Sequence, residues 1–350
     1  MSKSILRETL NRVLTKQPTF SVIIPTYKDE NYVKECLESL LKQGLSKNDL
    51  EVIITNDASG DGTVREIYNF MQANKDWNFR FIINETNLGV SESRNKAINI
   101  ATGKFLVPLD GDDYLEPNSL KDIKQLIKNT GADLIIPRMD KFYEPDVIDR
   151  PEKEPIVTVD ARKANKLRGQ DFFLYLKENR ARLCMPIISK KIVDANNFRF
   201  ENTLCEDDKW SLNLYMASKT PKYYDKPHYH YRKRNNSRSR TNFKGIVEKK
   251  YELCLDVLKM KKKNPKFSKL LISYSKDYYN YATAFKQDKM QEFWDKVYVD
   301  IEFNKKTNLL RNLLLGIEDT RINQKPIFSF NNCIDELWQY SGEEVQYATV

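Results

Sequence analysis

No stretch of the 350-residue sequence approaches the roughly 18–20 consecutive apolar residues that a membrane-spanning helix requires. The first residues, MSKSILRETLNRVLTKQ, lack the apolar stretch of a secretory signal. Cysteine is sparse: Cys36, Cys184, Cys205, Cys254 and Cys333 are scattered, odd in number and never in C-x-x-C spacing. That pattern argues against a disulfide framework and a structural zinc site, and with no export signal it points to a reducing cytoplasm. Neither G-x-G-x-x-G nor G-x-x-x-x-G-K-[ST] occurs, so neither a dinucleotide fold nor a P-loop enzyme is indicated. There is no internal repeat and no low-complexity tract. What remains is a globular balance of 40% hydrophobic and 31% charged residues, with a net charge of +9. Such an excess suits an anionic partner (a nucleotide, a phosphate polymer or a membrane face), and charge alone does not choose among them.

Three regions follow from the patterning: an arm over 1–18, an α/β domain over 19–240 and a helical region over 241–350. In the arm, Leu6, Leu10 and Val13 share one helical face among basic residues. A short docked helix is one reading, and a peripheral anchor at the inner face of the membrane is the other. From Thr19, apolar runs of strand length alternate with helical periodicity. Strands are predicted at Phe20–Pro25, Leu50–Thr55, Phe79–Ile83, Phe105–Leu109 and Leu134–Ile136, with a helix after each of the first four. This alternation predicts a mostly parallel, Rossmann-like sheet covered on both faces by helices.

Sheets of this kind bind ligands beyond the carboxyl ends of their strands. The residues there are Pro25-Thr26-Tyr27, Asn56-Asp57 and Asp110-Gly111-Asp112-Asp113, one aromatic ring and several carboxylates. Three aspartates within four positions repel one another unless a cation or hydrogen bonds offset them. Hard divalent cations take oxygen ligands, and Mg²⁺ or Mn²⁺ commonly bridges a carboxylate to a substrate diphosphate. The plain alternative is that Asp112 or Asp113 caps a helix beginning near Tyr114.

SVIIPTYKDENYVKECLESLLKQ, VIITNDASGDGT and NLGVSESRNKAINIATGKFLVPLDGDDYLEP together, in order and strand context, resemble glycosyltransferase family 2 and its GT-A fold. The resemblance covers roughly residues 19–240. It implies an inverting transferase that moves a hexose or N-acetylhexosamine from a UDP-sugar to a hydroxyl, with Mn²⁺ or Mg²⁺. Pro25 and Tyr27 would then lie beside the nucleobase, and Asp57 would accept a hydrogen bond from it. Arg94 would fix the donor near its ribose and diphosphate. Asp110 and Asp112 match the outer positions of the DxD motif, for ribose contact and metal ligation respectively. Asp113 would face the sugar or cap the helix.

After Asp140 the alternation is lost, and the stretch from Tyr143 to Lys166, rich in proline and charge, reads as an excursion around the acceptor site. An inverting transferase needs one carboxylate to take the acceptor's proton. Glu206-Asp207 followed by Trp210 resembles the family's ED motif, which makes Asp207 the candidate base, with Asp208 the neighbouring alternative and Glu206 and Trp210 as weak acceptor contacts. Acidic residues also suit a helix's first turn without any chemistry. Lys226 to Ser237 resembles the family's terminal YRxRxxS segment, a strand leading into a loop over the donor. Arg232 and Arg234 would donate to the departing diphosphate. His228 and His230, the only histidines, sit two apart on a strand, where one is a candidate to complete the metal shell. Nucleic acid is not an expected partner, because the basic run lacks interleaved stacking platforms.

Beyond residue 241, leucines and tyrosines at helical spacing predict packing or association into a homo-oligomer. The acceptor is expected to be a glycan, a polyol-phosphate or a glycoprotein. LLKQGLSKNDLEVIITNDASGDGT and the helix of the ED motif resemble Gram-positive enzymes that decorate wall teichoic acid or capsule, which implies cell-surface polysaccharide or glycoconjugate synthesis. The rival classes are a nucleotidyltransferase, which would normally show a glycine-rich phosphate loop where Pro25-Thr26-Tyr27 stands, and a non-catalytic nucleotide-sugar-binding protein.

Overall fold

In the computed structural model, the described residues are 17–147, 157–179, 181–202 and 206–234, with seven isolated positions between 252 and 274. The chain divides into two units, Met1–Lys249 and Lys250–Val350, and the sheet and its helices belong to the first. Apart from Gln17 and Pro18 the N-terminal arm lies outside the described residues, as do nearly all of the C-terminal helices and the loop after Arg234.

The predicted alternation is present. β1 (Phe20–Thr26) and β2 (Leu50–Asn56) are buried at every position. β3 (Asn78–Ile83) and β4 (Phe105–Pro108) complete a parallel block, β3-β2-β1-β4. Central parallel strands are covered on both faces, which is why they read as continuous apolar runs. The crossovers are α1 (Val33–Leu41), α2 (Thr63–Ala73) and α3 (Val90–Ile100). The apolar faces of α1 and α2 join Val22, Ile24, Val52, Ile54 and Val107 in one core through Leu37, Leu40, Ile67 and Phe70. Burying each such side chain favours folding by about 1.5–3 kcal/mol.

The second half departs from the prediction. β5 (Tyr114–Leu115), α4 (Ser119–Thr130) and β6 (Leu134–Tyr143) come first. Then follow α5 (Ala161–Ala164), α6 (Gly169–Glu178), β7 (Ile187–Ser189), α7 (Lys190–Ala195), α8 (Glu206–Ala217) and β8 (Pro221–Lys233). The eight strands form one sheet in the order β3-β2-β1-β4-β7-β6-β8-β5. β7 is antiparallel to both β4 and β6, β5 is antiparallel to β8, and β6 runs parallel to β8. The alternation thus does not end at Asp140: β6 continues to Tyr143, and β7 and β8 extend the sheet. Nor does a helix begin after Asp113. Tyr114 and Leu115 form a strand, and the residue before α4 is Asn118, in a left-handed conformation at φ 63°.

Candidate active site

The carboxyl ends of β1, β2 and β4 form the rim, and the loops there are strained. Lys28 and Ala58 both hold positive φ, at 59° and 57°. The Lys28 amide donates to Ser59 Oγ at 2.9 Å, which locks the loop after β1 to the loop after β2. Backbone strain of this kind clusters at ligand sites. Tyr27 is 44% exposed on the rim, with Lys28 Nζ 5.3 Å from its ring centroid. Pro25 is the penultimate residue of β1 and is buried.

Asp57 is buried and supports the loop before α3. Its Oδ1 accepts from the Asn84 side chain and the Leu88 amide, and its Oδ2 from the Gly89 amide, all at 2.8 Å. A carboxylate offers about four acceptor positions, so these bonds still leave room for one donor from a ligand. Gly89 has φ 90°, a conformation that favours glycine, and this turns its amide toward Asp57.

The Asp110–Asp113 loop is held from beneath by β8. Tyr229 Oη donates to Asp113 Oδ2 at 2.6 Å and accepts from the Asp110 amide at 3.1 Å. The Arg232 amide donates to Asp113 Oδ1 at 2.7 Å. Asp113 is therefore a buried anchor of the loop, and neither caps a helix nor lines an acceptor surface. Burial first, then the charges of Asp112 and Asp110, push its carboxyl well above the usual range. Asp112 is also raised, by burial and by Asp110, with Arg234 opposing. Asp29, just beyond β1, is pushed up to about 7 by burial and by Asp112.

Arginines offset this charge. Arg94, on α3, is buried and reaches two carboxylates at once: Asp110 Oδ1 at 2.7 Å and Glu206 Oε1 at 2.8 Å. Burial would lower its pKa, but Asp110 and Glu206 raise it overall. Arg234 pairs with Asp112 at 2.8 Å and Asp29 at 3.4 Å. Arg232 differs from the sequence expectation. Its guanidinium pairs with Glu35 and Glu144, donates from Nε to the Asp112 carbonyl, and lies over the Tyr32 and Phe142 rings. So engaged, it is a strut joining β8 to α1 and β6.

α8 opens with Glu206, Asp207 and Asp208 in its first turn. Glu206 is held by Arg94, which links α8 to the loop after β4. Asp207 is half-buried and close enough to Arg94 to add to the raised pKa of that guanidinium. Trp210 is buried with its ring stacked on Phe200, centroids 4.3 Å apart, so it packs the helix and does not present a face to an acceptor.

The histidines each engage a neighbouring side chain. His228 is buried with Nδ1 2.8 Å from Ser119 Oγ, and burial lowers its pKa to about 3. His230 Nε2 lies 2.7 Å from Glu116 Oε2, and its ring stacks on Tyr114. Tyr229, between them, is the residue that meets the aspartates, because neighbouring strand residues face opposite ways. The sequence reading placed no weight on Tyr229 or Asp29. Asp29, two positions after Tyr27 in the first motif, was the one with a visible signal.

A divalent cation fits this donor set. The carboxylates are hard oxygen ligands, and Asp29, Asp112 and Asp113 are raised first by burial and then by neighbouring aspartate charge, the part a cation would offset. Among the described residues no three histidine, cysteine, aspartate or glutamate side chains converge as a complete shell. A cation held by Asp112 beside Asp110 would therefore take its other ligands from substrate oxygens and water.

With that geometry in view, the relatives are informative. Residues 21–193 match the family described as Glycosyl transferase family 2. The protein described as uncharacterized glycosyltransferase EpsJ of Bacillus subtilis is 27% identical over 243 residues, 66% of either chain. Poly(ribitol-phosphate) beta-N-acetylglucosaminyltransferase TarS of Staphylococcus aureus is 37% identical over 121 residues, 34% of this chain and 21% of TarS. The chain thus spans about two thirds of one curated relative and about a fifth of the other. The crystal structure of S. aureus TarS 1–349 in complex with UDP-GlcNAc superposes with TM-score 0.60 at 22% identity, covering 85% of this chain and 80% of that one. Residues 21–193 form a glycosyltransferase family 2 domain, and the fold is GT-A. That assignment sets aside the nucleotidyltransferase and the non-catalytic readings. Among the described residues no helix is long and apolar enough to cross a membrane.

Proposed function

We propose that this chain transfers a hexose or N-acetylhexosamine from a UDP-sugar to a hydroxyl of a cell-surface polymer, with inversion at the anomeric carbon. The observation that carries this reading is Arg94, whose single guanidinium joins Asp110 of the donor motif to Glu206 of the helix bearing Asp207. Donor-holding and proton-accepting groups thereby share one pocket. Tyr27, Pro25 and Asp57 flank the nucleobase, and Arg94 and Arg234 face the diphosphate. Asp112, with Asp110 alongside, would hold Mn²⁺ or Mg²⁺, which when bound offsets charge on the leaving diphosphate. Asp207 takes the proton of the acceptor hydroxyl as its oxygen bonds to the anomeric carbon and the bond to UDP breaks. UDP leaves with the electron pair.

TarS is a poly(ribitol-phosphate) beta-N-acetylglucosaminyltransferase, and its structure holds UDP-GlcNAc. With the net charge of +9, this favours an N-acetylhexosamine donor and a polyol-phosphate acceptor here. Such a reaction runs at the cytoplasmic face of the membrane, which the enzyme would touch peripherally. A thermal-shift panel of UDP, ADP and GDP, each with and without Mn²⁺, tests the donor class. UDP with Mn²⁺ should give the largest rise and chelation should reverse it, with about 2.7 kcal/mol gained at 100 times the dissociation constant. Equal shifts from all three nucleotides contradict the uracil assignment.

A further inference from the structure

One face of α3 grips the segment that leads into α8. Ser91, Asn95 and Asn99 recur every four residues and so lie in a row along the helix. Asn95 clamps Phe200 in both directions: its Nδ2 donates to the Phe200 carbonyl at 2.8 Å, and its Oδ1 accepts from the Phe200 amide at 2.9 Å. Ser91 Oγ donates to the Glu201 carbonyl at 2.7 Å. Asn99 Oδ1 accepts from the half-buried Arg199 side chain at 2.8 and 3.0 Å. The Phe200 ring itself lies between Arg94, 5.0 Å from its centroid, and Trp210 of α8 at 4.3 Å. Lys209 of α8 reaches back to Glu201 at 2.7 Å. Only Thr203, Leu204 and Cys205 separate Asn202 from Glu206, where α8 begins.

We infer that Asn95, assisted by Ser91, is a positioning residue that fixes the first turn of α8 against the donor side of the pocket. The chain needs such a brace. Residues 198–202 are neither helix nor strand, so the backbone polar groups of buried Phe200 have no ladder to pair with. An asparagine side chain offers one donor and one acceptor at amide spacing and replaces a strand neighbour. The same helix carries Arg94, whose carboxylate partners lie on β4's loop and on α8. α3 thus sets the distance between diphosphate and base through two attachments: the arginine to side chains, and the asparagine to backbone. This rests on the reading that α8's first turn supplies the base, and deepens it.

Asn95→Ala and Ser91→Ala test the inference on the full chain, with Asn99→Ala as control. Hydrogen exchange of the free protein should speed up at Phe200 and over the first turn of α8 in Asn95→Ala, and less so in Ser91→Ala. Turnover is followed with whichever of UDP-glucose, UDP-galactose, UDP-N-acetylglucosamine and UDP-N-acetylgalactosamine gives the largest thermal shift. In Asn95→Ala kcat should fall by roughly 10–100-fold, the cost of misplacing a reacting group by up to 1 Å. Affinity for UDP with Mn²⁺ should stay within about twofold, because a purely positional defect appears in kcat and not in binding. Asn99→Ala should match the parent protein. Should Asn95→Ala not fold, Ser91→Ala gives the same split at smaller amplitude. Unchanged exchange over residues 198–210, unchanged kcat, or equal loss of kcat and UDP affinity overturns the inference. Asp207→Asn, run beside them, separates the two readings. If it retains turnover the identity of the base is wrong, whereas the brace is judged on Asn95 alone.

Discussion

Replacing Arg94 by methionine keeps side-chain length and removes the charge, stranding two carboxylates. Leaving one partner of a buried pair unmatched costs about 3–5 kcal/mol. Glu206's side chain is 11% exposed and Asp110's is 26%, so water recovers part of the cost at Asp110 and little at Glu206. We therefore expect a loss near the lower bound, about 3 kcal/mol, most of it from Glu206. Arg94→Met/Glu206→Gln should be more stable than Arg94→Met alone, since the stranded charge is gone. The coupling energy in the cycle should lie within about 1–3 kcal/mol. Urea denaturation of the four proteins measures it. Affinity for UDP should fall in both Arg94 variants, because the proposed donor site sets this arginine against the diphosphate. A cost below about 1 kcal/mol for Arg94→Met, the level of a surface pair, or strictly additive single losses would refute the bridge.

Tyr229→Phe removes only the hydroxyl that joins Asp113 to the Asp110 amide. Stability should fall by about 1.5–3 kcal/mol and UDP should bind more weakly in Mn²⁺, measured by denaturation and calorimetry. His228 governs a pH effect opposite in sign to that of a salt-bridged histidine. Its folded pKa of about 3 lies below the ordinary 6.5, so between those values the unfolded chain binds a proton that the folded one refuses. Stability should therefore drop as pH falls from 6.5 toward 3, by up to about 1.4 kcal/mol per pH unit, and His228→Gln should flatten that slope. Denaturation curves at pH 4, 5, 6 and 7 read it directly, and parallel slopes in both proteins contradict it.

The first half of the fold was legible because its central strands are buried on both faces, so Ser21-Val22-Ile23-Ile24 and Val52-Ile53-Ile54 stand out as apolar runs. β6 was cut short because its outer half, Arg138 to Tyr143, is half-buried and carries charge where the inner half carries isoleucine. β7 has three residues, too few to show any period. The site was legible as a list of strand ends and less so as contacts. Asp113's role depends on Tyr229, distant in sequence, and Arg232's on Glu35 and Glu144, with nothing local to announce either. The histidines share one side of β8, as alternation predicted, but that side faces Ser119 and Glu116 instead of the aspartates.

The most direct measurement separates binding from chemistry at the two carboxylates assigned different roles. Turnover and UDP affinity in Mn²⁺ are compared for Asp207→Asn and Asp112→Asn. Asp207→Asn should lose roughly 10²–10⁴-fold in turnover, the usual worth of general base catalysis, while binding UDP as the parent does. Asp112→Asn should lose both. Near-normal turnover in Asp207→Asn, with Asp208→Asn inactive, would move the base by one residue, and undiminished Mn²⁺-dependent UDP binding in Asp112→Asn would contradict the donor site itself.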